Sequence, residues 1–350
     1  IFMQIKMISG RSFNKVRILY LLLIGFMILL IYEKEAAMKA VIKNILIIVE
    51  LILIIFLSLV VYFLYQKNNE AVTTMGAGSI STDQYEDIDR KVNENYYELS
   101  GKKILLEDGT YGEIWIPVLK NVPAFSKEID QIKTRNGRKY YLDGSDITSL
   151  LGVDVSVHQE NIDWQKVKES GIDFAMIRLG YRGYGSGEAG LDENYAENIQ
   201  GAREAGIDAG VYFFSQAITV EEAVEEANLV IESLKGLDIN YPVVYDWEII
   251  YDDTARTDNV SVDVLTDCCV AFCETIRNAG YTPMIYQNKR TTIFKLDLNR
   301  LTDYDFWLAE YGSEPTYYYD FDMWQYTSTG SVPGIEGDVD LNISFKDYSK

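Results

Sequence analysis

Histidine occurs once in this chain of 350 residues, at His158. A zinc site built on three imidazoles is therefore excluded, and a Ser-His-Asp triad has a single candidate base. Cysteine is confined to Cys268, Cys269 and Cys273, within one stretch that reads as a helix. Neighbours on one helix make poor disulfide partners, and with no second cluster and no nearby imidazole they do not suggest a zinc site. They read as small buried hydrophobes. No metal and no cofactor is expected. Basic charge is short as well: 32 Lys+Arg stand against 53 Asp+Glu, a formal net charge of −21. That balance argues against a nucleic-acid partner, since phosphate contacts need clustered Lys and Arg.

Apolar residues make up 48% of the chain, enough for a core. Tyr is frequent at 26, with 14 Phe and 5 Trp, either as core or as platforms for planar or sugar ligands. The first 65 residues differ from the rest. They hold 7 Lys+Arg and 3 Asp+Glu, which leaves 25 and 50 on the remaining 285, a net of −25. Ile18 to Tyr32 is an apolar run of 15, short for a membrane span. Ile45 to Tyr65 is a run of 21 interrupted by Glu50, and about 20 apolar residues cross the hydrocarbon core as a helix. With Lys39 and Lys43 before it and an acidic region after it, this run reads as a single-pass anchor with its N-terminus inside. The chain begins with Ile1, and translation is expected to start at Met38. Residues 1–37 then form an N-terminal extension, 38–66 a transmembrane anchor, and 67–150 a polar stalk and a small β-rich spacer. Within the spacer, 103–119 reads as a hairpin around Asp108-Gly109 and 139–151 as a further strand.

From residue 151 two periods alternate. Apolar runs of strand length lie at 151–155, 173–179, 208–214, 242–247, 282–286, 305–309, 322–326 and 338–343, and amphipathic helical stretches at 163–170, 193–205, 220–235 and 262–279. Each helix stops at a glycine (Gly171, Gly206, Gly236, Gly280) shortly before the next strand. Helix, Gly and strand in repetition mark a parallel α/β fold. Eight strands with four strong helices predict an irregular TIM-like β/α barrel, open or distorted near its end, with its chemistry at the C-terminal ends of the strands.

Those ends carry acids. The fourth strand closes in Tyr245-Asp246-Trp247-Glu248. Alternation puts Asp246 and Glu248 on one face, about 6–7 Å apart at Cα. Like charges that close raise one pKa, as a general acid at neutral pH requires. Paired carboxylates beside aromatics describe glycoside hydrolysis. The first strand ends in Gly152-Val153-Asp154-Val155-Ser156, and the last contains Asp338-Val339-Asp340-Leu341-Asn342. Arg178 ends the second strand, where it would hold a substrate carboxylate or pair with an acid. Tyr212, Tyr286, Trp307 and Gln325 end others, as core or as groups that stack on or hydrogen-bond to sugar. Gly180 to Gly187 is glycine-rich and reads as a mobile rim to the cleft rather than a phosphate cradle.

Taken in order, Gly152-Val153-Asp154-Val155-Ser156 with Gln159, Phe174-Ala175-Met176-Ile177-Arg178, Gly210-Val211-Tyr212-Phe213-Phe214, Asp246-Trp247-Glu248, and Trp324-Gln325-Tyr326 followed by Gly337 to Asn342 resemble the family 25 glycoside hydrolases, the lysozyme-type muramidases. The resemblance covers 151–346 and leaves out the anchor, stalk and spacer. It implies an irregular β/α barrel. It also implies that Glu248 protonates the glycosidic oxygen, with Asp154, Asp246 and Asp340 in the same cleft. The implied substrate is peptidoglycan, cut at the β-1,4 bond between N-acetylmuramic acid and N-acetylglucosamine. A carboxylate nucleophile, an inverting water and assistance by the substrate's own N-acetyl group all stay open, with substrate assistance favoured. His158 reads as a cleft-side residue. An inactive wall-binding module, a chitinase-like glycosidase and a structural wall tether are the alternatives. Val244, where chitinase-like enzymes carry a further acid, counts against the second. The location expected is the cell membrane, single-pass, with the catalytic domain extracellular.

Overall fold

A computed structural model describes residues 99–350, except 110 and 252, and residue 25. The elements below belong to one compact unit, Val72–Lys350. The segments expected as extension, anchor and stalk lie outside the described residues. No helix among the described residues is long and apolar enough to cross a membrane.

β1 (Leu99–Asp108) and β2 (Gly112–Leu119) form an antiparallel hairpin in which Leu105 lies opposite Trp115. β3 (Ile132–Arg135), β4 (Arg138–Asp143) and β5 (Asp146–Ile147) form a small antiparallel sheet. Both pieces pack on the body that follows. Leu106 and Ile116 meet Phe294, Tyr141 of β4 meets Phe345 edge-on at 5.5 Å between ring centroids, and Arg290 Nε donates to Asp108 at 2.5 Å.

The body is a ring of strands. β6 (Leu150–Val155), β7 (Phe174–Arg182), β9 (Asp208–Ser215), β10 (Val243–Trp247), β11 (Pro283–Asn288), β12 (Asp305–Ala309) and β13 (Met323–Gly330) run parallel, each to the next. β14 (Val339–Ser344) runs antiparallel between β13 and β6 and closes the circle. β8 (Ala189–Leu191) pairs antiparallel with the far end of β7. The helices are α1 (Trp164–Glu169), α2 (Tyr195–Glu204), α3 (Val220–Ser233), α4 (Val262–Asn278) and α5 (Lys289–Lys295).

All eight expected strands form, and the four glycines expected to end helices have positive φ, from 74° at Gly206 to 91° at Gly171. The TIM-like β/α architecture is corrected. The barrel is mixed, closed and strand-dominated. No helix separates β12 from β13 or β13 from β14, and β14 returns antiparallel. The physical reason is connection length: a parallel crossover needs a dozen or more residues, whereas an antiparallel return needs only a short loop, as between Gly330 and Val339. The glycine-rich stretch after β7 is also not a loose rim. It is the turn of the β7–β8 hairpin, closed by Gly183 N–H to the Glu188 carbonyl at 2.9 Å and Arg182 to the Gly187 carbonyl at 2.6 Å. Arg182 is itself buried and ion-paired with buried Glu226 at 2.6 Å.

Alternation along the strands sorts two cores. Outward residues such as Val153, Ile177, Phe213, Tyr245, Ile285 and Trp324 lie in one cluster with helix residues, among them Cys268, Cys269 and Phe272 of α4. The three thiols are free and buried, as their spacing suggested. Phe174, Met176, Val244, Met284, Trp307 and Met323 form a second cluster, the plug within the ring. Glycine makes room for it: a Cβ on Gly152 would sit 2.2 Å from the Phe174 ring, and one on Gly210 would sit 2.9 Å from the Met176 sulfur. Below the plug, Tyr241 stacks on Phe174 at 4.8 Å and Tyr348 meets Tyr241 edge-on.

Gly152→Ala is expected to destabilise the barrel by about 1–3 kcal/mol, the cost of overpacking a full core. Phe174→Leu in the same chain should recover part of that loss. Chemical unfolding of the two variants and the double variant checks it, and additive losses would mean that the ring is not what excludes a side chain at 152.

Candidate active site

Polar side chains take over from the plug where the strands end. The register of β14 against β6 sets Asp340 opposite Asp154. On the neighbouring strands Asp246 lies beside Tyr286, and Tyr286 beside Trp307. Asp154 and Asp246 are buried, and Asp340 and Glu248 are half-buried. The structure thus brings the four acids read from the sequence to one mouth.

Asp154 is held from two sides. Its Oδ2 accepts from Gln325 Nε2 at 2.9 Å and from Asn342 Nδ2 at 2.8 Å. Gln325 is oriented in turn by the Tyr286 and Tyr311 hydroxyls, which donate to its Oε1 at 2.9 and 3.1 Å. Asn342 accepts from Trp307 Nε1 at 2.8 Å. Tyr286, Trp307 and Gln325 thus hold the acid cluster in place. Arg178 does not meet an acid of the mouth. Its Nε donates to Asp192 at 2.8 Å, and Asp192 also accepts from the Val157 N–H. Tyr212 lies edge-on to Trp307 at 6.3 Å. His158 sits in a single 3-10 turn, 157–159, beyond β6, with its backbone N–H bonded to Ser156 Oγ.

Burial raises every carboxyl here, and repulsion adds to it at Asp154, Asp246 and Glu248. Burial pushes Glu248 up to about 7, with the negative charge of Asp340 adding to it. Asp246 is pushed well above the carboxylate range by burial, then by Glu248 and Asp154, against a smaller opposing pull from Arg178. One of its oxygens, Oδ1, is buried without a hydrogen-bond partner in the protein. Asp154 is raised by burial and by Asp340, against the two amide donors. Asp340 is raised by burial, while its hydrogen bond with Asp154 pulls it the other way. The mouth can hold protons near neutrality and release them to an adjacent oxygen. No group of three or more His, Cys, Asp or Glu suited to a metal ion occurs among the described residues.

Asn342, Tyr311 and Asp192 were not singled out from the sequence. Asn342 was within reach, because alternation places it on the face of Asp340. Tyr311 and Asp192 lie beyond strand ends, where no period marks a direction. Beside the mouth, the β1–β2 hairpin, Asn288 to Arg290, Ala309 and Glu310 line a cleft of about 600 Å³.

The family model for glycosyl hydrolases family 25 matches residues 153–335. An autolytic lysozyme of Clostridium acetobutylicum is 28% identical over 195 residues, 55% of this chain and 55% of that protein. Lysozyme M1 of Streptomyces globisporus is 26% identical over 211 residues, 57% of this chain and 68% of that protein. The chain thus spans about half the length of the first of these relatives. Among solved structures, the spore cortex lytic enzyme SleM of Clostridium perfringens superposes with a TM-score of 0.50 at 21% identity, covering 58% of this chain and 69% of that one. At that identity the likeness bears on the fold alone.

The raised carboxyls give stability a definite pH dependence. Glu248 binds its proton more tightly folded, at about 7, than it does unfolded at an ordinary 4.5. Between those values the folded state holds more protons, so this contribution to stability falls as pH rises. Thermal unfolding followed from pH 5 to pH 8 should show a declining Tm, with a shallower decline in Glu248→Gln. Equal slopes in the two proteins would place the ionisation elsewhere.

Proposed function

We propose a function from one premise: this chain belongs to the glycosyl hydrolases of family 25. It is a peptidoglycan hydrolase that cuts the β-1,4 bond between N-acetylmuramic acid and N-acetylglucosamine. The observation that carries this reading is the pair at the end of β10. Glu248, the first residue after β10, is half-buried with its carboxyl raised to about 7, and Asp246 stands two residues before it, close enough for its carboxyl to be raised by Glu248. Relatives named as lysozymes support the substrate class.

In this reading Glu248, protonated at neutral pH, gives its proton to the glycosidic oxygen as the bond to the anomeric carbon breaks. Asp246 faces the substrate's N-acetyl group with its unpartnered Oδ1, which accepts from the acetamido N–H and turns the acetamido oxygen towards that carbon. Water then opens the resulting cyclic intermediate, with Glu248 as base. Asp154 and Asp340 hold one proton between them and keep the opposite wall polar. The cleft beside Ala309 gives a polymer room to continue past the bond being cut. Polymerised peptidoglycan lies outside the cytoplasmic membrane, and the domain acts there.

Glu248→Gln should leave folding intact and lower the rate of wall digestion by about 10²–10⁴-fold, the loss typical of a removed general acid. Mass spectrometry of fragments released by the parent protein should show N-acetylmuramic acid at the new reducing ends. N-acetylglucosamine ends would reverse the bond assignment. Activity of the Gln variant within a few-fold of the parent would remove Glu248 from the role.

A further inference from the structure

β10 stops one residue short of Glu248. Its ladder with β11 ends at Asp246–Tyr286, and its ladder with β9 ends at Trp247–Ser215. The carbonyls of Trp247 and Glu248 therefore leave the sheet at the point where the side chain of Glu248 must be aimed. Two buried glutamines take them, one from each neighbouring strand. Gln287 of β11 donates from Nε2 to the Trp247 carbonyl at 2.6 Å. Gln216, the first residue after β9, donates from Nε2 to the Glu248 carbonyl at 2.9 Å. Both side chains are 1% exposed or less, so neither amide has solvent as an alternative partner.

A glutamine amide can be turned end for end, and only one end donates. The Glu248 carbonyl, which can only accept, fixes the choice for Gln216 by requiring Nε2, and Thr257 then anchors the other end. Its hydroxyl, also buried, donates to Gln216 Oε1 at 2.7 Å. Arg256 braces the same loop. Its guanidinium bonds to Glu222 at 2.7 and 3.0 Å and to the Gln216 carbonyl at 3.4 Å. The loop after β10 thus reaches back, through Thr257 and Gln216, to the backbone of the residue that follows the strand.

We infer that Gln216, with Thr257 as the group that anchors the far end of its amide and Gln287 as its counterpart across β10, is a positioning residue that aims Glu248 into the mouth of the barrel. This inference rests on the reading of Glu248 as the general acid. None of the three touches the reacting atoms. Their effect is on the direction of one peptide unit, and a misplacement of about 1 Å at a reacting group is enough to cost about 10²-fold in rate.

The test uses the full chain with solubilised peptidoglycan fragments. Gln216→Met keeps the volume and removes the donor. Thr257→Val keeps the shape and removes the hydroxyl, and Thr257→Ser restores it. Gln216→Met should lower kcat about 10–100-fold with KM within about twofold of the parent. Thr257→Val should act in the same direction and less strongly, and Thr257→Ser should recover most of the loss. In the first two variants the alkaline limb of the kcat/KM profile should move to lower pH, because a Glu248 free to turn towards water loses the burial that raises it. Parental kcat in Gln216→Met overturns the inference. So does a loss of kcat with an unmoved alkaline limb, since that is what general destabilisation would give. Glu248→Gln run alongside separates the two levels: if it stays active, the reading of the acid has failed, whereas if it is dead while Gln216→Met behaves as the parent, only the positioning has.

Discussion

The antiparallel insertion of β14 between β13 and β6 is the constraint on which the mouth of this barrel depends. It closes the ring, so no strand edge is left at that seam. It also fixes which residues of the last strand face which residues of the first. Asp340 falls opposite Asp154, and Asn342, two positions on, reaches the same Asp154 carboxyl. A slip of one residue would turn both side chains to the helix side and bring Leu341 into the mouth. The short return after β13 is therefore not a flaw in a β/α repeat. It sets the electrostatics of the site.

Those electrostatics follow from burial more than from any single pair. Four carboxyls share a rim above an apolar plug of Phe174, Met176, Val244, Met284 and Met323. Each is raised first by desolvation, and Asp154, Asp246 and Glu248 are raised further by their neighbours. Counter-charge is sparse: Arg178 acts at a distance and is committed to Asp192. The donors that face Asp154 are neutral amides, which hold a carboxyl in place without lowering its proton affinity as far as a guanidinium would. Amides also do the equivalent work on the backbone of β10. The site is thus built from neutral donors around acids, and its protons stay within reach of neutral pH.

Much of this was legible in the amino-acid order. The strand runs, the glycines that end helices and the buried thiols of α4 follow from local period and local conformational preference. So does the pairing of Asp246 with Glu248 on one face. The kind of barrel was not legible. Apolar runs announce strands but carry no mark of direction, and the eight strands read as a parallel β/α barrel until β14 proved antiparallel. Arg178 and the aromatic strand ends were singled out as groups for substrate. In the structure Arg178, Tyr286 and Trp307 bond to Asp192, Gln325 and Asn342.

The sequence by itself determined which residues are strand, which face of each strand is apolar, and that acids cluster at strand ends, because a period of two and a glycine at C′ are local properties of the chain. Only the tertiary structure decided that Asp154 meets Asp340, that Asn342 and Gln325 hold Asp154, and that Gln216 reaches the carbonyl of Glu248. Each of these pairs residues far apart in the chain, and the contact depends on register and closure. Register and closure are settled by packing around the whole ring, with Gly152 yielding to Phe174 and β14 wedged between two strands, and no local stretch of sequence contains that information.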